Sequence, residues 1–259
     1  MDFIAIDVET ANADMASICQ IGLAKFENGI LSDEWKTYVD PEDYFDFFNI
    51  SIHGIDESVV EGAPKFPELT ETLRSYIENA VVVCHTHFDR VAMNQASQRY
   101  GIAAINCTWL DSARVARRTW DECAWKGYGL YNLCQILGYD FKHHDALEDA
   151  KAAAHILLNA SNKTGLDIDG WLKRVRQPID PAASSSGSAI KRDGNPEGAF
   201  YGEVLVFTGA LEIPRREAAD IADAIGFQVT SGVTKKTTFL VVGDQDIKRL
   251  AGHERSQCR

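Results

Sequence analysis

Apolar residues run along the chain first in strand-like stretches and then at helical spacing. FIAIDVET, residues 3–10, is a near-continuous apolar run ending in carboxylates, the composition of a buried central strand. ICQIGLAKFENG and ILSDEWKTYV flank Asn28-Gly29, and that dipeptide between two such runs predicts a β-hairpin. PKFPELTETLRSYIENA places Leu69, Leu73, Tyr76 and Ile77 at helical intervals. AVVVCH is a short apolar strand, and FDRVAMNQASQRYG a helix stopped by Gly101. SARVARRTW, GLYNLCQILG and the alanine-rich DALEDAKAAAHILLNAS follow as helices. A strand meander, then strands alternating with helices, predicts an α/β fold: a mixed sheet with helices on its faces.

Periodicity disappears over residues 177–200, QPIDPAASSSGSAIKRDGNPEGAF, which reads as a flexible linker between a block at 1–176 and another at 201–259. After it, EVLVFTGAL is a strand running into a turn. RREAADIADAIG is a helix closed by Gly226, and FQVTSGVTKKTTFLVVG holds two short strands, completing a β-α-β-β run. No internal repeat is present.

Composition narrows the classes. No run of about 18 apolar residues exists, so no transmembrane helix is expected. The N-terminus lacks a basic region followed by an apolar stretch, so no secretory signal is expected either. The six cysteines are scattered without a C-x-x-C, which suits reduced thiols and a cytoplasmic protein. Residues 1–170 carry 13 Lys and Arg against 27 Asp and Glu, and residues 171–259 carry 13 against 11. So acidic a front block argues against broad electrostatic capture of nucleic acid, but leaves room for a small polyanion site bridged by cations.

Four carboxylates stand out. Asp7 and Glu9, two apart on a strand, point to one face. They are either a strand end surfacing into solvent or a pair awaiting a positive partner. Asp89 opens a helix after the strand AVVVC, where the macrodipole alone favours an aspartate. In HHDALEDA, Asp145 with Glu148 three residues on has the spacing of a capping box. That leaves His144 and Asp149 unexplained, while His143 suits a solvated loop and His155 a helix face. Taken together, Asp7, Glu9, Asp89 and Asp149 are hard oxygen donors suited to Mg²⁺ or Mn²⁺. Two such cations roughly 3.5–4 Å apart clamp an in-line attack at phosphorus. His144, with an ordinary pKa of about 6.5, suits removal of the proton from an attacking water.

The ordered set Asp7-x-Glu9, Phe88-Asp89 and His144-x4-Asp149 resembles the DEDDh 3′–5′ exonucleases, the DnaQ-like group of the DNA polymerase III epsilon subunit, over about residues 1–160. The resemblance implies a ribonuclease H-like mixed five-stranded sheet with flanking helices. It implies Asp7, Glu9, Asp89 and Asp149 as ligands of two Mg²⁺ ions, with Mn²⁺ as a substitute, and His144 as general base. It places Thr10 near the terminal nucleotide. SIHGID resembles the family's I-H-G-I segment beside the substrate groove, where His53 is either a substrate contact or a structural loop histidine. Many members carry His-Asn five and four residues before the second-motif aspartate. Cys84 and His85 stand there, so His85 is an altered candidate contact.

Residues 201–245 resemble a BRCT domain, as in bacterial DNA ligases and the clamp-loader large subunit. Its Thr208-Gly209 turn is either a phosphate-binding site or simply a tight turn. A BRCT domain continues past TTFLVVG with a helix, a strand and a closing helix. The sequence ERSQCR ends before them, so the domain is expected to be partial and the stretch after about residue 246 loosely held.

The expected activity is metal-dependent hydrolysis at single-stranded or frayed DNA 3′ ends, with release of nucleoside monophosphates. RNA is the alternative substrate. A polymerase or repair complex is the partner expected for the BRCT-like tail, and no membrane is involved. A reading of another class is a non-catalytic scaffold working through that tail.

Overall fold

In the computed structural model the described residues are 1–124, 127–177, 179, 190–196, 198–209, 211, 213 and 215–243. The chain divides into two compact units, Met1–Val175 and Arg176–Arg259.

The first unit is built on a five-stranded sheet in the order β3-β2-β1-β4-β5. β1 (Phe3–Thr10), β2 (Ile18–Glu27) and β3 (Ile30–Tyr38) form the antiparallel meander. β4 (Val81–Cys84) and β5 (Thr108–Asp111) add in parallel beyond β1. Asn28 and Gly29 take φ of 54° and 77°, the paired positive values that a two-residue hairpin turn needs. This is the ribonuclease H-like mixed sheet that the motifs implied.

Alternation along β1 decides which side each residue serves. Ile4, Ile6 and Val8 pack with α2 (Thr70–Ile77) and α3 (Phe88–Arg99). Phe3 and Ala5 pack on the other face. Their neighbours there come from α4 (Ser112–Ala116), α5 (Leu130–Leu137), α6 (Ala146–Thr164) and α7 (Ile168–Arg174). Asp7 and Glu9 share the parity of Phe3 and Ala5, so they face α6.

How α6 meets the sheet is set by one glycine. Gly22 pairs with Asp7 across the β1–β2 ladder. A Cβ at Gly22 would lie 2.2 Å from the Leu147 nitrogen and 2.3 Å from the Ala146 carbonyl carbon. The first turn of α6 therefore rests on bare backbone, which carries Asp149 over β1.

α1 (Phe47–His53) was not foreseen from periodicity. It is seven residues long, too short for an apolar period to register, and it buries no residue. Asp46 caps it by accepting the Phe48 N–H, and Gly54 ends it at φ 74°.

The second unit holds the β-α-β-β run: β6 (Val204–Thr208), α8 (Arg215–Ala224), β7 (Gln228–Thr230) and β8 (Phe239–Val242), in a parallel sheet ordered β7-β6-β8. Leu205, Ala219, Ala222, Phe227 and Val229 form its core. The last part of the segment that composition assigns to a linker is folded here. Arg192 exchanges backbone hydrogen bonds with Val229. A Cβ on Gly198 would come within 2.2 Å of the Ile225 carbonyl carbon. Glycine serves close packing at that position, and composition reads the same residue as slack. Residues 178 and 180–189 of the expected linker, and the stretch after about residue 246, lie outside the described residues. Among the described residues, no helix is long and apolar enough to cross a membrane.

Candidate active site

The α6 face of β1 is where the predicted carboxylates meet. Oxygens of Asp7, Glu9 and Asp149 lie within 4.8 Å of one another. Asp89, 1% exposed at the start of α3, accepts the Val8 N–H at 3.0 Å, which ties it to the peptide between Asp7 and Glu9. A β-bulge between Glu9 and Thr10 breaks the β1–β2 register immediately after Glu9.

This crowding is electrostatically costly. Burial, then repulsion from Asp89, Asp149 and Glu9, raises the Asp7 carboxyl well above the usual range. Burial, reinforced by Asp149 and Asp89, pushes Glu9 up to about 8. Burial pushes Asp89 up to about 7 even though the Val8 N–H favours its ionised form. Asp149 is raised by burial, against the opposing pull of His143. Hard oxygens that repel one another in a buried cleft fit divalent cations, whose charge removes the repulsion.

His144 lies beside the cluster, its Nδ1 3.9 Å from a Glu9 oxygen. Burial, with His143 and His53 adding to it, lowers its pKa, so the imidazole is neutral near pH 7 and has a free lone pair to accept a proton. Its φ is 64°, in the left-handed region that a non-glycine residue seldom adopts. His143 lies in the loop that pattern assigns it, partly exposed, and also reaches Asp149: its Nδ1 lies 3.1 and 3.2 Å from the two carboxylate oxygens.

Asp145 occupies the N-cap position of α6 but makes no cap hydrogen bond. Its carboxylate accepts from the Lys36 ammonium at 2.9 Å, and Glu148 pairs with Lys151. The expected capping box is therefore replaced. The Ala146 N–H donates instead to Gln20 Oε1 at 2.8 Å, from the β2 residue that pairs with Glu9. Only tertiary contact brings Gln20 there.

The Thr10 carbonyl, at the end of β1, accepts from Asn49 Nδ2 at 2.8 Å and faces His53 Nε2 at 3.2 Å. His53 Nδ1 accepts the Ile55 N–H, so its proton sits on Nε2 and both ring nitrogens are engaged within the protein. Asn49 and His53, one turn apart on α1, dock that helix on the strand end. His85 Nε2 donates to the Tyr128 carbonyl at 2.9 Å, and its Nδ1 pairs with the Ser112 hydroxyl at 2.8 Å. It thus links the end of β4 to α4 and to the segment before α5.

In the second unit, Thr208 ends β6 and Gly209 turns the chain at φ 73°. The Arg215 guanidinium donates to the Phe207 and Gly209 carbonyls, bracing this turn from α8.

Comparison with known proteins agrees with this geometry. The family model described as RNase_T, Exonuclease, matches residues 4–157, and the BRCT (BRCA1 C Terminus) model matches residues 195–257. The chain is similar to a DNA polymerase III PolC-type of Caldanaerobacter subterraneus subsp. tengcongensis, 30% identical over 62% of this chain and 12% of the relative. A PolC-type from Pediococcus pentosaceus is 27% identical over 66% of this chain and 12% of the relative. The chain thus spans about an eighth of the length of these relatives. Among solved structures, Exonuclease X in complex with 5′ overhanging duplex DNA aligns with TM-score 0.53 and 20% identity, covering 66% of this chain and 98% of that one. The nuclease domain of 3′hExo, a DEDDh family member bound to rAMP, aligns with TM-score 0.52 and 17% identity, covering 63% and 92%. These likenesses establish the ribonuclease H-like fold, and the matched family implies dependence on a divalent metal. With 154 of 259 residues inside the exonuclease model, the chain belongs to the exonuclease family, with a BRCT domain following the nuclease unit.

Proposed function

We propose that the chain is a 3′–5′ exonuclease that hydrolyses phosphodiester bonds at single-stranded or frayed DNA 3′ ends and releases nucleoside monophosphates. One observation carries this: Asp7, Glu9 and Asp149 converge with Asp89 behind them, protonation-prone for want of positive charge, beside a neutral His144. Asp7, Glu9, Asp89 and Asp149 hold two Mg²⁺, for which Mn²⁺ substitutes. When bound, such cations neutralise the cluster, polarise the scissile phosphate and make water nucleophilic near neutral pH.

The chain's own residues supply the rest. His144 accepts the proton of the attacking water at its unprotonated ring nitrogen. Thr10 is held by Asn49 and His53 so that the strand end lies against the terminal nucleotide. His53 and His85 are the further candidate contacts to the nucleotide, although their ring nitrogens are already engaged within the protein. Phe48 and Ile52 lie one turn apart on α1, beside the Asn49–His53 stripe, and are 69% and 39% exposed. Unpaired bases stack on such surfaces without regard to sequence, which favours a frayed or single-stranded end. The unit 1–176 carries the reaction. The BRCT unit, with Thr208-Gly209 as its anion-binding turn, directs it to DNA ends or to a polymerase or repair complex in the cytoplasm. The PolC-type relatives make a polymerase the first partner to test.

RNA is the second reading, because the aligned 3′hExo domain is bound to rAMP. Oligonucleotides labelled on the 3′-terminal nucleotide, as single-stranded DNA, frayed duplex and RNA, are incubated with Mg²⁺ or with EDTA. Labelled mononucleotide should appear first, only with Mg²⁺, and fastest from DNA. Faster release from RNA would make the enzyme an exoribonuclease. No release from any substrate would leave a scaffold working through the BRCT unit.

A further inference from the structure

We infer that His143 is a positioning residue that aims the Asp149 carboxylate at the cation site and sets the ring plane of His144; this rests on the exonuclease function proposed above. The geometry is specific. His143 Nδ1 faces both Asp149 oxygens, at 3.1 and 3.2 Å, and an N–H placed between carboxylate oxygens donates to them. Asp149 is 4% exposed, and the His144 backbone N–H reaches one of the same oxygens at 3.2 Å. Consecutive residues thus grip one carboxylate by a side chain and a main chain.

The His143 ring is itself held. It stacks on His144 at 3.8 Å and on Tyr131 at 5.9 Å, and it meets Phe141 at a tilted 5.5 Å. These contacts also explain how His144 keeps a left-handed backbone. A non-glycine residue at φ 64° persists only where its surroundings over-determine it, and the stack and the Asp149 contact do so. One imidazole therefore links a metal-ligand carboxylate to the residue that takes the proton. Donors behind ligating groups typically contribute about 10–100-fold in metal affinity.

The test is calorimetric titration of the full chain with Mn²⁺ alone, without nucleic acid. His143→Leu keeps apolar packing against Tyr131 and Phe141 but removes the N–H, and is expected to weaken Mn²⁺ binding about 10–100-fold. His143→Asn retains an N–H near the Nδ1 position and loses the ring. It should recover most of the Mn²⁺ affinity yet keep a lowered kcat with KM little changed, because the His144 stack is gone. His143→Ala should match His143→Leu in metal affinity; if it fails to fold, the leucine and asparagine variants still decide. Wild-type Mn²⁺ affinity in His143→Leu would overturn the positioning role while leaving the exonuclease function standing. Absence of Mn²⁺ uptake by the wild-type chain would remove both.

Discussion

Gly22→Ala is the most informative single substitution, because it changes one methyl group, adds no charge, and touches no reacting atom. The new Cβ would sit 2.2 Å from the Leu147 nitrogen, where ordinary contact begins at 3.4 Å. Its neighbours at 2.3 and 2.5 Å are also backbone atoms, so no side chain can rotate out of the way. The start of α6 must lift from β2 by about 1.2 Å, the difference between contact and clash, or β2 must bend by as much. Asp149 lies in that same first turn, and Asp7 pairs with Gly22 itself. A shift of about 1 Å in a catalytic group typically costs on the order of 10²-fold in rate. Overpacking of this kind costs about 1–3 kcal/mol in stability. Expected are a fall of about 10²-fold in the initial rate of mononucleotide release, weaker Mn²⁺ binding, and a Tm lowered by several degrees. Gly129→Ala is the control: φ there is −68° and nothing lies within 4 Å of an added Cβ, so rate and Tm should hold. A Gly22→Ala protein with wild-type rate and Tm would refute the close seating of α6 on the sheet as the device that places Asp149.

Other expectations follow from the electrostatics of the cluster. Asp7→Asn should abolish metal-dependent turnover and, by deleting one of the repelling charges, raise the Tm of the EDTA-treated protein at pH 8; retained turnover would remove Asp7 from the site. His144→Ala should lower kcat by about 10²–10⁴-fold with KM little changed; a defect confined to KM would contradict the base role. The carboxylate cluster should cost the metal-free protein stability as pH rises. Glu9 and Asp89, raised from 4.5 and 3.8 to about 8 and about 7, keep protons in the folded state that the unfolded chain has already released. Their contribution is complete below about pH 4 and is lost progressively up to about pH 8. The partly buried histidines, lowered by burial, act in the opposite sense, so the cluster is isolated by comparison: in EDTA, Glu9→Gln should gain in Tm over the wild-type chain as pH rises across that window, and Mg²⁺ should raise the wild-type Tm more at pH 8 than at pH 5. A Glu9→Gln advantage over the wild-type chain in EDTA that does not grow from pH 5 to 8 would show that the cluster is not under repulsive strain.

Local pattern was enough to foretell four of the five strands, the hairpin and the main helices of the first unit; β5, four residues long, shows too little pattern, and the five-stranded sheet came with the family resemblance. Strand alternation places Asp7 and Glu9 on one face, and Asn28-Gly29 states the turn it makes. The spacing His144-x4-Asp149 puts the two residues at the start of a helix. Each of these needs only the few neighbouring residues, so it is legible in one dimension. The short helix α1 was not, because seven residues span about two turns and leave too few positions for a period to register.

Which partner each polar group finds was settled by tertiary structure alone. Gln20 caps α6 in place of Asp145, because strand β2 brings its amide under a helix 126 residues further along. His143 pairs with Asp149, because a left-handed residue at 144 turns the loop back to the helix start. Gly22 becomes essential only where α6 is laid across it. The glycine-rich approach to the second unit reads as slack, yet Gly198 lies against the backbone at Ile225. The amino-acid order determined which groups exist and which face of each element carries them. The packing of distant elements decided their neighbours, and charge, hydrogen bonding and close contact act only between neighbours in space.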